Sequence, residues 1–300
     1  MAELKKIIVG HDLRSGGETA LRSAAVLARR CSAELRLVHV IEPQHTYQRL
    51  SHPLTSSYTL EEIAQKSGAK LRALAAGPEL AHLQVEYEVR TGKPFVELII
   101  ARRAWQADLI VVGGASKQDP SFLGSTSERI VRKAMVPVMV AKKVLSTVAK
   151  TFLVPTDFSD CARRAAQEAL ILAESFHGRI VFLHVVDLYP LYAVGYADDF
   201  GVALPLPPPP PEVMEGEWQN FLSGLPVEKV RCENCTEEGE PAVTILNQAQ
   251  RKQVNAIVMG THGRTGLNHM LLGSIAEKVV RKAHCPVLTI RPEAFQFKMP

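Results

Sequence analysis

Short runs made almost wholly of Val, Ile, Leu and Phe recur along the chain, among them Ile7–Val9, Leu109–Val112, Phe152–Val154 and Ile257–Met259. They lack the alternation of apolar and polar positions that a sheet with one wet face requires. They therefore predict strands buried on both sides, as in a parallel sheet. Between them, apolar residues return at helical spacing. Ala20, Leu21, Ala24, Ala25, Leu27 and Ala28 form one stripe, and Ala162, Ala165, Ala166, Ala169 and Leu170 form another. Ser15-Gly16-Gly17-Glu18 has capping-box spacing, so Ser15 is expected to cap the first helix, and Ser159 opens the second.

The pattern also repeats. Ile7-Ile8-Val9-Gly10-His11-Asp12 lies over Phe152-Leu153-Val154-Pro155-Thr156-Asp157, and Leu37-Val38-His39-Val40 over Phe182-Leu183-His184-Val185, both at an offset of 145. Gly92-Lys93-Pro94 lies over Gly239-Glu240-Pro241 and Asp108–Gly113 over Asn255–Gly260 at 147; Gly124-Ser125 lies over Gly273-Ser274 at 149. Segments that keep their order with such small drifts indicate an internal duplication. The expected architecture is α/β: two tandem doubly wound parallel-sheet domains, residues 1–145 and 150–292, each with five strands in the order 3-2-1-4-5 and four helices. The seam falls between Ala141 and Lys150. In such a sheet, ligands bind beyond the carboxyl ends of the strands where the order reverses, between strands 1 and 4. That places Asp157 beside Gly260.

Composition narrows the function classes. With 46% apolar and 22% charged residues, the chain has ample material for a core and is not a disordered polymer. The net charge of +4 comes from basic and acidic residues spread along the chain, without a long basic block, which argues against nucleic acid as the main partner. No apolar run approaches the roughly 18 to 20 residues of a membrane-spanning helix, and Ile7-Ile8-Val9 reaches Gly10 too soon for a signal-peptide core. The expectation is a cytoplasmic protein with no membrane partner. Five scattered cysteines do not make a secreted disulfide framework.

The chemistry concentrates after strand 4 of the second copy, where residues 260–274 read Gly-x2-Gly-x9-Gly-Ser. Gly260 and Gly263 carry no Cβ to block a phosphate and are free to take positive φ, so their amides are expected to converge on an anion. Gly273 and Ser274 stand where the last helix begins, and unpaired helix amides with the positive end of the helix dipole favour phosphate there. Arg264 supplies charge.

This motif, with Asp157 ending strand 1 and His184-Val185 ending strand 2, resembles the nucleotide-binding branch of the universal stress proteins, most of all their tandem, E-type members. The resemblance covers both halves. It implies an adenine nucleotide, ATP with or without Mg²⁺, held in the second domain. Asp157 would contact the ribose and the backbone at Val185 the adenine edge, while Gly260, His262, Gly263, Arg264, Gly273 and Ser274 would surround the phosphates. Ile275 departs from the small hydroxyl residue common after that serine. The resemblance also implies that the last strands of the copies, Val136–Val140 and Val287–Ile290, pair as an intrachain pseudo-dimer; a further homodimer stays open.

The first copy keeps Asp12, Val40, Gly113, Gly124 and Ser125, with Lys117 in place of Arg264. Its loop is two residues shorter, Ser116 replaces the second glycine, Asp119 adds a like charge and Pro120 removes a donor N–H. The expectation is a degenerate site. Cys232-x2-Cys235 has the spacing of a metal or redox pair, set against two ordinary thiols. The tract from Leu204 to Pro211 predicts extended polyproline that joins neither sheet nor helix. The first-copy insertion, about Glu42 to Ser57 with Tyr58 after it, carries His45, Tyr47 and His52 and flanks the corresponding edge. No Walker A sequence and no Gly-x-Ser-x-Gly elbow occurs. The reading is a stress-response protein whose bound ATP biases conformation or protein-partner contacts. The alternatives are a scaffold that binds no nucleotide and a slow Mg²⁺-dependent ATPase.

Overall fold

The computed structural model describes residues 4–43, 59–114, 123–148, 150–187, 208–263 and 272–292. The chain divides into two compact units, the first within Met1–Thr147 and the second within Val148–Phe295. In the first, β1 (Lys6–Gly10), β2 (Glu34–Ile41), β3 (Val85–Thr91), β4 (Leu109–Gly113) and β5 (Val138–Ala141) alternate with α1 (Ser15–Cys31), α2 (Leu60–Ala75), α3 (Pro94–Trp105) and α4 (Ser125–Lys133). In the second, β6 (Thr151–Thr156), β7 (Arg179–Val186), β8 (Arg231–Glu238), β9 (Ala256–Gly260) and β10 (Val287–Ile290) alternate with α5 (Asp160–Phe176), α6 (Pro211–Leu222), α7 (Pro241–Arg251) and α8 (Ser274–Lys282).

Within the first unit the strand order is β3-β2-β1-β4-β5, and within the second it is β8-β7-β6-β9-β10. The pairings inside each unit are parallel. Both are the 3-2-1-4-5 order. The central strands are apolar without alternation because helices cover both faces: Leu109–Val112 and Ala256–Met259 are buried throughout.

The ladders differ where the order reverses. β1 pairs with β4 as far as Gly10↔Val112, but β6 pairs with β9 only through Leu153↔Ile257. Pro155 stands just beyond and has no N–H to offer a ladder. The carboxyl ends of β6 and β9 are thus unlaced for longer than their counterparts, at the place where a ligand would enter.

The helix starts follow the sequence in the second unit and depart from it in the first. Ser159 caps α5, accepting from the Ala162 N–H at 3.2 Å. Ser15 does not cap α1; it is the first helical residue after Arg14, which makes no side-chain cap. Asp12 Oδ1 takes the donors instead, from the N–H of Arg14 at 2.9 Å and of Gly17 at 3.0 Å. A carboxylate three residues upstream has the reach and the charge to outcompete a hydroxyl for helix amides. The capping box lies at Thr59 and Glu62, at the head of α2.

The proline tract also departs from expectation. Pro210 is extended, with φ −55° and ψ 147°, but Pro211 is the first residue of α6, where its missing N–H costs nothing. Residues 204–207 lie outside the described residues, as do His45, Tyr47, His52 and Tyr58. Among the described residues no helix is long and apolar enough to cross a membrane.

Candidate functional site

Asp157 follows the last residue of β6. Its Oδ1 accepts from the Ser159 N–H at 3.1 Å and from the Ser159 hydroxyl at 2.6 Å, so the carboxylate is held by the start of α5. Its second oxygen faces the loop after β9. A methyl group on Gly263 would sit 2.7 Å from Asp157 Oδ2. The exposed Gly263 and the strand-end acid therefore meet across the switch point, and only the absence of a Cβ leaves room between them.

The head of α8 closes on the same loop. The Gly273 N–H donates to the Thr261 carbonyl at 2.8 Å, and a Cβ on Gly273 would lie 3.1 Å from that oxygen. Gly273 is the N-cap and, having no side chain, offers the helix no cap of its own. The amides of Ser274, Ile275 and Ala276 precede the first intrahelical bond, which the Glu277 N–H makes to the Gly273 carbonyl at 2.8 Å. Ser274 is exposed, and Ile275 beside it is 39% exposed, which puts an apolar side chain at the helix mouth.

Three expectations for the glycine-rich segment are corrected. The missing Cβ of Gly260 serves packing: its position lies 2.9 Å from Cys161 Sγ and 3.2 Å from the Cys161 carbonyl carbon, where α5 packs onto β9. The same holds for Gly113, whose Cβ would lie 2.5 Å from the Gly16 carbonyl oxygen in α1. Second, none of Gly260, Gly263 and Gly273 adopts positive φ; among the described glycines that conformation belongs to Gly92, Gly224 and Gly239. Third, part of the expected amide nest is already committed. The Thr261 N–H donates to the Ile290 carbonyl at 2.8 Å, and the His262 and Thr261 amides bear on the Cys161 sulfur. Burial raises the pKa of that thiol more than those amides lower it, so Cys161 is an inert packing residue.

The His262 side chain shares a 2.8 Å contact with Thr261 Oγ1. His184 donates from Nδ1 to the Thr156 carbonyl at 2.9 Å, which tethers β7 to β6 one residue before Asp157. Val185 is half-buried at the carboxyl end of β7, in register with Glu237. Arg264 lies outside the described residues.

In the first unit Asp12, Val40, Gly113, Gly124 and Ser125 occupy the corresponding places, and α4 also starts without a side-chain cap. Gly124 is open, with nothing within 4 Å of its Cβ position. Asp12, however, is committed to capping α1, and its Oδ1 lies 2.7 Å from the Cβ position of Gly17. Lys117, Ser116, Asp119 and Pro120 lie outside the described residues.

Cys232 and Cys235 stand three apart on β8, and residues an odd number apart in a strand point to opposite faces. Cys232 borders a cavity of ≈ 330 Å³ with Phe182 and Leu222, whereas Cys235 feels Glu237 and Lys252. Both thiols are free and burial raises the pKa of each. The spacing that suggests a pair in a loop cannot form one in a strand. Among the described residues no cluster of His, Cys, Asp and Glu could hold a metal. A second cavity, of ≈ 530 Å³ between β8 and α7, is lined by Glu237, Thr244, Gln248 and Arg251. Neither cavity includes Asp157, Gly263 or Ser274.

Two residues near the site carried no signal in the sequence. Phe158 takes φ +63° immediately after Asp157, a conformation that sequence reasoning reserves for glycine. Arg291, beyond β10, is 5% exposed, and burial lowers its pKa to about 10 while Cys161 pulls the other way.

Comparison with known proteins reaches the whole chain. The universal stress protein family profile matches residues 3–142 and again 149–291. A universal stress protein of Mycolicibacterium smegmatis is 29% identical over 299 residues, covering 95% of this chain and 97% of its own. Universal stress protein E of Escherichia coli K12 is 23% identical, covering 99% and 96%. One from Methanocaldococcus jannaschii is 35% identical over 146 residues, covering 47% of this chain and 82% of its own. The crystal structure of a universal stress protein from Archaeoglobus fulgidus shares the fold with a TM-score of 0.74 at 22% identity, covering 97% of this chain and 99% of that one.

Proposed function

Since the chain belongs to the universal stress protein family, with two tandem domains of that family, we propose that its second domain binds an adenine nucleotide, ATP foremost. In this reading the protein acts in the cytoplasm as a regulator or interaction module whose partner contacts depend on that ligand. The observation that carries the reading is the Asp157 carboxylate aimed across the switch point at Gly263, where a single methyl group would fill the gap. The head of α8, with a glycine as its N-cap, begins on the same loop.

The residues present suit the group. A sugar hydroxyl donates to a carboxylate, so Asp157 holds the ribose and Val185 presents the strand end to the base. The amides of Ser274, Ile275 and Ala276, with the Ser274 hydroxyl, meet phosphate oxygens. Gly260 and Gly113 have no part in this contact; they are packing residues. Arg264 and His262 are assigned to the phosphate side and Gly263 to the approach. The first domain, with Asp12 committed to α1, is the scaffold half.

The test is thermal. A ligand that binds only the folded state raises the melting temperature by mass action, by about 2.7 kcal/mol of stability at one hundred times the dissociation constant. MgATP is expected to stabilise the parent protein, and Gly263→Ala to remove the shift, since its methyl would press on Asp157 Oδ2 while Gly263 itself is exposed and costs the fold little. Ser274→Ala is expected to diminish the shift. An unchanged shift in Gly263→Ala would place the nucleotide elsewhere. ATP or another adenine nucleotide released from gently purified protein and identified by mass spectrometry would support the reading directly.

A further inference from the structure

Asp157 is followed by a residue in a strained conformation whose side chain packs against two other elements. Phe158 holds φ +63°, which costs a bulky side chain about 1 kcal/mol or more and persists only where surroundings impose it. Here they do. The Phe158 ring stacks on His184 with centroids 4.4 Å apart and planes at 28°. It meets Trp218 edge-on at 5.0 Å and 88°, and Phe221 at 5.7 Å and 69°. Trp218 and Phe221 belong to α6 and are buried. The Trp218 indole N–H donates to Thr236 Oγ1 on β8 at 3.0 Å, which fixes the ring from behind. The Phe158 N–H donates to Thr156 Oγ1 at 2.9 Å, and the Thr156 carbonyl accepts from His184. The turn carrying Asp157 is thus clamped from β6, β7 and α6 together.

The first unit shows what the turn does without the clamp. Leu13 takes the same conformation, φ +58°, but α2 contains no aromatic residue. There the acid folds back to cap its own helix, with two amides on Asp12 Oδ1. In the second unit Ser159 caps the helix and the Asp157 carboxylate turns its other oxygen to Gly263.

We propose that Phe158 is a positioning residue for the Asp157 carboxylate and that α6, through Trp218 and Phe221, is coupled to the nucleotide site: docking of α6 and binding at Asp157 stabilise each other. This rests on the nucleotide reading above. Linkage of this kind is reciprocal, so a partner or modification that moves α6 changes nucleotide affinity by the same factor that nucleotide changes its own. α6 is thereby the element through which occupancy is reported.

The chain has two tryptophans, and Trp105 lies in the first unit. Trp105→Phe leaves Trp218 as the sole indole reporter in the full-length protein. MgATP is titrated while Trp218 emission is read, and heat is measured in parallel. The expected result is an emission change whose midpoint matches the calorimetric dissociation constant. Phe158→Gly keeps the backbone conformation and removes the ring; it is expected to weaken MgATP about three- to ten-fold, the scale of one or two aromatic contacts, and to silence Trp218. Phe158→Tyr should restore both. Phe158→Leu, the residue used at this turn in the first unit, replaces the glycine variant if that one fails to fold. Unchanged affinity in the ring-less variant, or flat Trp218 emission while heat is released, would overturn the coupling and leave the nucleotide reading intact. Absence of heat in the parent would overturn that reading, and the coupling with it.

Discussion

The two halves descend from one pattern and solve the same corner differently. After β1, Asp12 serves its own helix; after β6, Asp157 is relieved of most of that duty by Ser159 and looks toward the opposite loop. With a hydroxyl at the N-cap of α5, Asp157 Oδ1 bonds Ser159 and Oδ2 faces Gly263, whereas Asp12 Oδ1 takes two amides of its own helix end. The comparison teaches that a shared strand-end aspartate does not by itself indicate a shared site: what matters is whether another group satisfies the helix amides.

The largest effect that would test this contrast comes from the packing glycines. Gly113→Ala forces its methyl against the backbone of Gly16, which cannot move without shifting α1, and is expected to cost about 3 kcal/mol. Gly260→Ala meets chiefly the Cys161 thiol and should cost about 1 to 2 kcal/mol. Because the chain has two units, hydrogen exchange read by mass spectrometry should place the first loss among residues of the first unit and the second among those of the second. Equal costs would mean that α1 and α5 do not differ in how tightly they press on β4 and β9.

Next come the aspartates. Asp157→Ala is expected to weaken MgATP about ten- to hundred-fold by calorimetry, the scale of a hydrogen bond to a charged group, with a small change in stability because Ser159 still caps α5. Asp12→Ala is expected to do the reverse, losing about 1 kcal/mol of stability with the α1 cap and leaving affinity unchanged. If both variants lost affinity alike, the division of labour between the halves would be wrong.

The smallest effect separates the halves by pH. His11 is 3% exposed and burial lowers its pKa below the ordinary 6.5, with Asp12 opposing; the equivalent residue is Thr156. His11 Nδ1 accepts the Leu13 N–H at 2.9 Å, so the neutral ring carries its proton on Nε2. The unfolded chain takes up a proton first as pH falls. The contribution of His11 is therefore complete above about pH 6.5 and is lost between there and the lower folded value. Protection of the first unit against hydrogen exchange should decline between pH 7 and 5, and His11→Thr should flatten that decline. An identical decline in the variant would trace it to other groups.

Much of this was legible before any coordinates. Unbroken apolar runs such as Leu109–Val112 announce strands covered on both faces, and the matched offsets announce the duplication. From those, strand order and switch point follow by general rules of α/β folds. The site was legible only in part. Asp157 meets Gly263 and Gly273 bonds Thr261 on the same loop, but Gly260 and Gly113 are glycines for packing. The clamp on Phe158 left no trace, because nothing in Asp157-Phe158-Ser159 distinguishes a phenylalanine held at positive φ from an ordinary one.

The division has a physical basis. Strand, helix and repeat are encoded by neighbours a few residues apart, since burial alternates with the backbone's own period, and the amino-acid sequence alone was enough to specify them. Where a side chain points at the end of a strand depends on atoms far away along the chain. Cys161 beside Gly260, Trp218 beside Phe158 and Asp157 beside Gly263 are contacts across 60 to 106 positions. Only the assembled sheet and its helices bring such groups within a few ångströms, and only then do packing and hydrogen bonding decide which carboxylate oxygen caps a helix and which faces a neighbouring loop.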